Sequence, residues 1–274
     1  MKNFGSLKFK TTLKDHFETE PQLVTEDAIR YWFIKEYENT VSKQTPYTEV
    51  PYKRQNKDGD YITPLKCKPS PALLSDSARA DLYYGKVDFN SCQLRQGNGS
   101  VFEFKYHRST RYSDCCTGTD CGSVFRDLNR LSILENKEKY FVYVFDDVMK
   151  KYYDDKIEAN HASVFDIFDV ANTGKTVNVD SGFDDIIFNK NDPSKANRGY
   201  GEIKKGAFSQ FDPSSTFDKF NYEVEVLYSD EIWTGTVDGF NKDKNADKEI
   251  EKSYYLLICQ VLDGNNNDNS EKSN

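Results

Sequence analysis

Three charged residues, Asp81, Glu103 and Lys105, form the arrangement in this sequence that is best suited to chemistry. Side chains alternate between the two faces of a β-strand, so the segment 101–107 places Glu103, Lys105 and His107 on one face and aromatic side chains on the other. Asp81 lies in the preceding predicted strand, which could bring its carboxylate to the same face. Burying such charges without a use is costly, so the pattern predicts a functional site.

Two carboxylates beside an ammonium group are suited to metal-dependent hydrolysis of a phosphodiester. Mg²⁺ takes oxygen ligands, so Asp81, Glu103 and the backbone carbonyl of Phe104 are candidate ligands. A bound metal lowers the pKa of a coordinated water and neutralises charge on the phosphoryl group. Lys105 could orient that water and stabilise the developing negative charge.

An Asp followed on the next strand by Glu-x-Lys resembles the PD-(D/E)XK nuclease superfamily. Glu26, on an early predicted helix, resembles the acidic residue that those nucleases often carry on their first helix. The Arg-Ala-Asp-Leu sequence of 79–82 resembles their Arg-x-Asp-Leu entry to the metal-binding strand, although Ala80 stands where Pro often precedes the Asp. The segment 127–131, followed by an apolar strand, resembles the next helix and strand. The resemblance covers roughly residues 20–150, about half of the chain.

The resemblance implies a restriction-endonuclease-like fold and a Mg²⁺-dependent deoxyribonuclease, with Mn²⁺ as an alternative cofactor. Asp81, Glu103, the Phe104 carbonyl and Glu26 would be the metal ligands, and Lys105 would activate the water. DNA would be the partner, in restriction, repair or defence. Many such nucleases are dimers, so the resemblance also suggests a homodimer. The competing hypothesis is a non-catalytic protein of the same fold that acts as an interaction subunit.

Basic residues near the candidate site could form a phosphate-contacting rim, although the chain as a whole is acidic. Its 37 Lys and Arg against 45 Asp and Glu give a net charge of −8, which argues against nonspecific coating of nucleic acid. The alternative for this rim is a solvated face, in which Arg130 pairs with Asp127. The candidate phosphate contacts are Arg79, Arg95, His107, Arg108, Arg111, Arg126 and Arg130.

The Glu-x-Lys spacing also occurs at 135–137 and 202–204. The first lies at the end of a predicted helix, where it indicates a charged surface. The second is the stronger competitor because Asp184 and Asp185 precede it. Glycines on both sides of 202–204 indicate a loop, so Glu103 is favoured. The remaining alternative is a surface strand with an incidental Glu–Lys pair.

The cysteines offer a third hypothesis, a zinc-stabilised binding module. Cys115, Cys116 and Cys121 lie close together, but they lack the two-residue spacing typical of a zinc knuckle. A fourth ligand would have to come from Cys67, Cys92 or His107. Ordinary thiols are favoured over a structural zinc site.

Hydrophobic periodicity predicts an α/β protein, a mixed central sheet flanked by helices with a β-rich C-terminal elaboration. Predicted helices begin at Thr25, as N-cap, and at Ser123, while predicted strands span 80–84, 101–107, 140–145, 183–188, 222–228, 232–237 and 254–262. Strand 140–145 is apolar throughout, which is typical of a strand buried on both faces.

Four segments divide the chain. Residues 1–19 are expected to form an N-terminal arm, and residues 20–155 the nuclease-like core. The elaboration at 156–262 would serve target recognition or dimerisation, and 263–274 has the composition of a disordered tail. No apolar run reaches the ~18–20 residues of a membrane span, and no secretory signal is visible, so we expect a cytoplasmic protein.

Overall fold

A computed structural model gives the fold of the chain. The structure describes residues 8–40, 45–51, 54–55, 61–62, 79–85, 87–88, 93–94, 99–108, 118–134, 138–158, 163–182, 203, 206–207, 219–241 and 246–263. Several predictions fall outside the described residues, namely those on Cys67, Cys92, Arg95, Arg111, Cys115, Cys116, strand 183–188, Asp184, Asp185, Glu202, Lys204 and the tail beyond Asp263.

Seven strands form one mixed sheet, in which β3 and β4 are parallel and all other neighbours are antiparallel. In chain order the strands are β1 (Pro46–Pro51), β2 (Arg79–Tyr84), β3 (Ser100–His107), β4 (Glu138–Asp146), β5 (Thr176–Gly182), β6 (Lys219–Asn241) and β7 (Ala246–Asp263). Their order across the sheet is β1-β2-β3-β4-β7-β6-β5. Short two-stranded ladders pair Arg54–Gln55 with Tyr61–Ile62 and Val87–Asp88 with Gln93–Leu94.

The helices cover both faces of this sheet. They are α1 (Phe9–Thr19), α2 (Glu26–Thr40), α3 (Gly118–Ser132) and α4 (Asp147–Glu158), with shorter 3₁₀ turns at Pro21–Leu23, Ser163–Phe168 and Val170–Asn172. Apolar side chains of α1 and α2 fill a core on one face, and those of α3, α4 and the second 3₁₀ turn fill a core on the other. Within the described part of the chain, no helix is long and apolar enough to cross a membrane.

This arrangement confirms the predicted fold class, α/β with a mixed central sheet flanked by helices. The apolar strand predicted at 140–145 is β4, and its side chains contribute alternately to the two cores. The aromatic face of β3 is buried as predicted, because Phe102 and Phe104 are both fully enclosed. The restriction-endonuclease-like assignment remains a prediction.

Helix α2, which carries Glu26, begins where the sequence predicted. The Thr25 hydroxyl accepts a hydrogen bond from the backbone N–H of Ala28, so Thr25 is the N-cap. Ile29 and Phe33 are buried one turn apart and pack this helix against the aromatic face of β3. The cap and the packing together fix Glu26 at the rim of the sheet.

Two elements differ from the predictions. In the described part of the predicted arm 1–19, Phe9–Thr19 is a helix whose Phe9, Leu13 and Phe17 are fully buried. Their spacing of four residues forms one apolar stripe, which the polar composition around it concealed. Helix α3 begins at Gly118, five residues before the predicted Ser123, and ends at Ser132.

The segment 156–262, predicted as an elaboration packed on the core, supplies strands to the same sheet. Strand β7 pairs with β4 from Tyr254 to Gln260, and β6 and β5 follow it. The two strands predicted at 222–228 and 232–237 form one long strand, β6, with register shifts near Tyr228 and Trp233. A role of this segment in target recognition or dimerisation remains a prediction.

Candidate active site

The candidate site lies where the ladder between β2 and β3 ends. The described pairs are Leu82 with Phe102, Tyr83 with Val101 and Tyr84 with Ser100, which leaves Asp81 one step beyond them. There the Asp81 side chain, rather than a backbone carbonyl, is the hydrogen-bond acceptor. Its Oδ2 atom accepts a hydrogen bond from the backbone N–H of Phe104 at 2.6 Å.

A second carboxylate acts in the same way two residues further along β3. Oε2 of Glu26 accepts the backbone N–H of Tyr106 at 3.0 Å. Carboxylates of β2 and α2 therefore complete the hydrogen bonding of β3 where its ladder with β2 ends. Because a buried N–H group without an acceptor is costly, these bonds hold both carboxylates beside the strand.

Asp81 is only 16% exposed and is paired with a cation of α2. The Arg30 Nη2 atom lies 3.4 Å from Asp81 Oδ1, while the Nη1 atom of the same guanidinium group lies 2.8 Å from Glu49 Oε1. Burial raises the pKa of Asp81 above its ordinary value, and the negative charge of Asp127 raises it further.

Glu103 and Asp127 are two buried carboxylates that share one arginine. Arg130 Nη2 lies 2.7 Å from Glu103 Oε2 and 2.9 Å from Asp127 Oδ1. The two acids are at most 1% exposed and Arg130 is 5% exposed, so the guanidinium group is directed into the protein. Arg130 thus makes the pairing with Asp127 that the sequence offered as the alternative to a phosphate contact.

Lys105 is held between two carboxylates on the same side of β3. Its Nζ atom lies 3.2 Å from Asp127 Oδ2 and 3.7 Å from Glu26 Oε2. Burial alone would lower the pKa of Lys105, but Asp127 and Glu26 outweigh it and the pKa is raised. The amine is therefore charged at neutral pH, which suits electrostatic stabilisation rather than proton abstraction.

Asp127 forms ion pairs both with Lys105 and with two arginines of α3, Arg126 and Arg130. Burial would raise its pKa, but Lys105, Arg130 and Arg126 outweigh burial and hold the pKa below its ordinary value. Arg126 lies at the rim, 19% exposed, with its Nε atom 3.0 Å from Asp127 Oδ1. A fully ionised Asp127 therefore fixes the position of the Lys105 ammonium group.

Two further residues predicted to contact phosphate are Arg108 and Arg79. Arg108 donates hydrogen bonds to the carbonyl oxygens of Pro21 at 3.3 Å and Gln22 at 2.9 Å, which fastens the end of β3 to the turn before α2. Arg79 is half-buried at the start of β2.

His107 lies behind Lys105 in a polar chain. Its Nδ1 atom lies 2.8 Å from Tyr143 Oη, which in turn lies 3.2 Å from Tyr153 Oη, and its Nε2 atom lies 3.5 Å from Ser123 Oγ. Burial lowers the pKa of His107 from 6.5 to about 4. The imidazole is therefore neutral at neutral pH and acts as a buried hydrogen-bonding group.

Replacing His107 with glutamine should flatten the acid dependence of stability. The unfolded chain binds a proton at its histidine near pH 6.5, whereas the folded chain resists it down to about pH 4. Wild-type unfolding free energy should therefore fall by up to about 3 kcal/mol between these pH values because of this group. Urea denaturation at a series of pH values measures the fall. An equal fall in His107→Gln would assign the acid sensitivity to other groups.

The site contains residues that the sequence did not single out. Arg30 could have been found, because it follows Glu26 by one helical turn and must lie on the same side of α2. Asp127 was seen only as a partner of Arg130. The sequence did not predict Glu49 as part of the site. Its backbone adopts a left-handed φ of 53°, which nothing in the sequence around it indicates.

The oxygen donors here match the chemistry of a hard divalent cation. Asp81, Glu103 and Glu26 come from three elements that meet at the end of the β2–β3 ladder. As placed, they are bound to protein cations and backbone N–H groups, and no three His, Cys, Asp or Glu side chains of the described residues are grouped as a metal site. The described cysteines, Cys121 and Cys259, are buried free thiols.

Comparison of the chain with protein-family models, with curated proteins and with solved structures gave no match. The resemblance to PD-(D/E)XK nucleases remains a prediction from the sequence.

Proposed function

We propose that the chain is a metal-dependent nuclease that hydrolyses phosphodiester bonds, with DNA as the substrate. One observation carries the proposal. At the end of the β2–β3 ladder, the half-buried carboxylate of Asp81 and the buried carboxylate of Glu103 belong to neighbouring strands, and the Lys105 ammonium group is held on the same strand as Glu103. Buried carboxylates and a lysine are costly to assemble, and this combination is the one that metal-assisted phosphoryl transfer uses.

Asp81 and Glu103 would hold Mg²⁺ or Mn²⁺, with Glu26 and the Phe104 carbonyl as further donors. When bound, the metal supplies a water of lowered pKa and neutralises negative charge on the phosphate. Asp127 keeps Lys105 protonated and in place. The Lys105 ammonium group then orients the attacking water and stabilises the charge that develops on the phosphoryl oxygens.

Around this centre, the rim would position the nucleic acid. Arg126 is the best placed of the described arginines, because it is partly exposed beside Asp127 and Lys105. The strands β5, β6 and β7 would serve target recognition or dimerisation. A cytoplasmic location remains a prediction from the sequence.

One observation favours the second candidate, a non-catalytic interaction subunit. Arg30 and Arg130 already neutralise Asp81 and Glu103, as they would in a site that holds no metal. In that case the cluster would stabilise the fold alone.

Cleavage by the purified full chain separates the two candidates. Plasmid, linear duplex, single-stranded DNA and RNA are incubated with Mg²⁺, Mn²⁺ or a chelator. We expect cleavage of DNA only with metal, and a loss of about 100-fold or more in Asp81→Asn. Asp155→Asn, which changes an exposed carboxylate paired with Lys151, is the matched control and should cleave as wild type does. If wild-type protein and Asp81→Asn cleaved all four substrates at the same rate, the nuclease proposal would be wrong and the non-catalytic candidate would be favoured.

A further inference from the structure

Arg30 is the protein cation that lies beside the Asp81 carboxylate. Its Nη2 atom contacts Asp81 Oδ1 at 3.4 Å, longer than a normal N–H···O hydrogen bond. The Oδ2 atom of the same carboxylate is engaged by the N–H of Phe104. Oδ1 is therefore the less engaged oxygen, and a cation that binds it would be repelled by the Arg30 guanidinium group unless that group withdraws.

Of the two arginines that hold the proposed metal ligands, Arg30 is the one that can leave. Arg130 is 5% exposed and makes short contacts of 2.7 and 2.9 Å to two buried carboxylates. Arg30 is 11% exposed, and its contact with Asp81 is long, at 3.4 Å. After loss of the Asp81 contact, Arg30 would still be paired with Glu49 at 2.8 Å and with Asp27 at 3.8 Å.

Glu49 is the nearer of two other carboxylates available to a withdrawing Arg30, since Asp27 Oδ1 lies 3.8 Å from Arg30 Nη2. Its Oε1 atom lies 2.8 Å from Arg30 Nη1. It lies in β1 between the pairs Thr48–Leu82 and Val50–Ala80, level with Asp81 on the neighbouring strand. The left-handed φ of 53° at Glu49 is strained for a residue with a Cβ atom, and such strain concentrates at functional positions.

We infer that Arg30 is a positioning residue that neutralises Asp81 while no divalent cation is bound, and that it withdraws onto Glu49 when one binds. The Arg30–Glu49 pair then sets the affinity of the site for metal. This inference rests on the proposed function, since it assumes that Asp81 is a metal ligand. The inference predicts that replacing Arg30 and replacing Glu49, the two partners of one ion pair, change the metal affinity in opposite directions.

Titration of the full chain with Mn²⁺ alone, by calorimetry and without nucleic acid, tests the inference. Arg30→Gln removes the competing cation and should tighten Mn²⁺ binding by about tenfold. Glu49→Gln leaves Arg30 with Asp81 and the more distant Asp27, and it should weaken Mn²⁺ binding by about tenfold. Since Glu49 acts through Arg30, the double variant should bind within about twofold of Arg30→Gln.

A change of charge alone would also tighten cation binding, so a matched variant is needed. Arg126→Gln removes one positive charge from the same cluster but contacts Asp127, not Asp81. Its Mn²⁺ affinity should change by less than about threefold, as expected for a charge that does not compete at the ligand. Arg30→Lys keeps the charge and should stay closer to wild type than Arg30→Gln. Circular dichroism of each variant verifies that it is folded.

The outcomes separate the inference from the proposed function. Equal tightening in Arg30→Gln and Arg126→Gln, or additive effects in the double variant, would overturn the role of Arg30 and leave the nuclease proposal standing. Absence of Mn²⁺ binding in both wild type and Arg30→Gln, or binding that Asp81→Asn does not change, would overturn both.

Discussion

Lys105→Ala is expected to reduce metal-dependent DNA cleavage by about 100- to 1,000-fold, the usual cost of removing one group that stabilises charge in the transition state. The fold should persist because Asp127, the buried carboxylate that Lys105 contacts, keeps Arg126 at 3.0 Å and Arg130 at 2.9 Å. The loss should therefore appear in the rate of cleavage rather than in the amount of folded protein. Initial rates at saturating Mg²⁺, with circular dichroism on the same samples, measure both.

Lys204→Ala is the control, since Lys204 belongs to the competing Glu-x-Lys segment at 202–204. It should retain wild-type cleavage. Loss of cleavage in Lys204→Ala but not in Lys105→Ala would move the active site to that segment. Equal cleavage rates in wild type and both variants would show that neither Lys105 nor Lys204 takes part in the reaction.

Arg130→Met should destabilise the protein by about 3–5 kcal/mol, the cost of removing one partner from a buried ion pair. The guanidinium group serves Glu103 and Asp127 together, and water cannot replace it because the two carboxylates are at most 1% exposed. Urea denaturation measures the loss. The double variant Glu103→Gln/Arg130→Met should recover part of it, because the amide carries no charge to be neutralised.

Lys151→Met supplies the comparison for this stability measurement. Its ion pair with Asp155 is formed by side chains that are 78% and 60% exposed. Such pairs contribute about 0–1 kcal/mol, so the variant should unfold close to wild type. A similar small change in Arg130→Met would mean that the buried carboxylates are neutralised in another way, by uptake of protons for instance.

The parts of the fold that the sequence predicted are those with local periodicity. Alternation in 101–107 and the apolar run at 140–145 specify strands whose faces are buried, and both are present as β3 and β4. The α1 stripe was equally periodic, but polar neighbours masked its three apolar residues. Register shifts that join two predicted strands into β6 depend on long-range packing, which no local pattern reveals.

The candidate site was predicted where chemistry and periodicity coincide, at Asp81, Glu103 and Lys105. The cations that hold these residues could not be assigned in the same way. Arg30 and Arg130 come from helices on opposite faces of the sheet, and only the end of the β2–β3 ladder lets both reach one cluster. The pairing of each charge is a property of the tertiary fold, whereas the residue types are a property of the sequence.

The position of β7 in the sheet bears on how the protein is made. Strand β7 lies between β4 and β6, yet the whole segment 147–245 must leave the ribosome before it can pair with β4. Until then β4, apolar on both faces, has one edge open to other chains. The hairpin of β6 and β7 must therefore close the sheet as a late step, after contacts of long sequence separation have formed. A nascent chain of this protein therefore passes through an interval in which the open edge of β4 can pair with other chains.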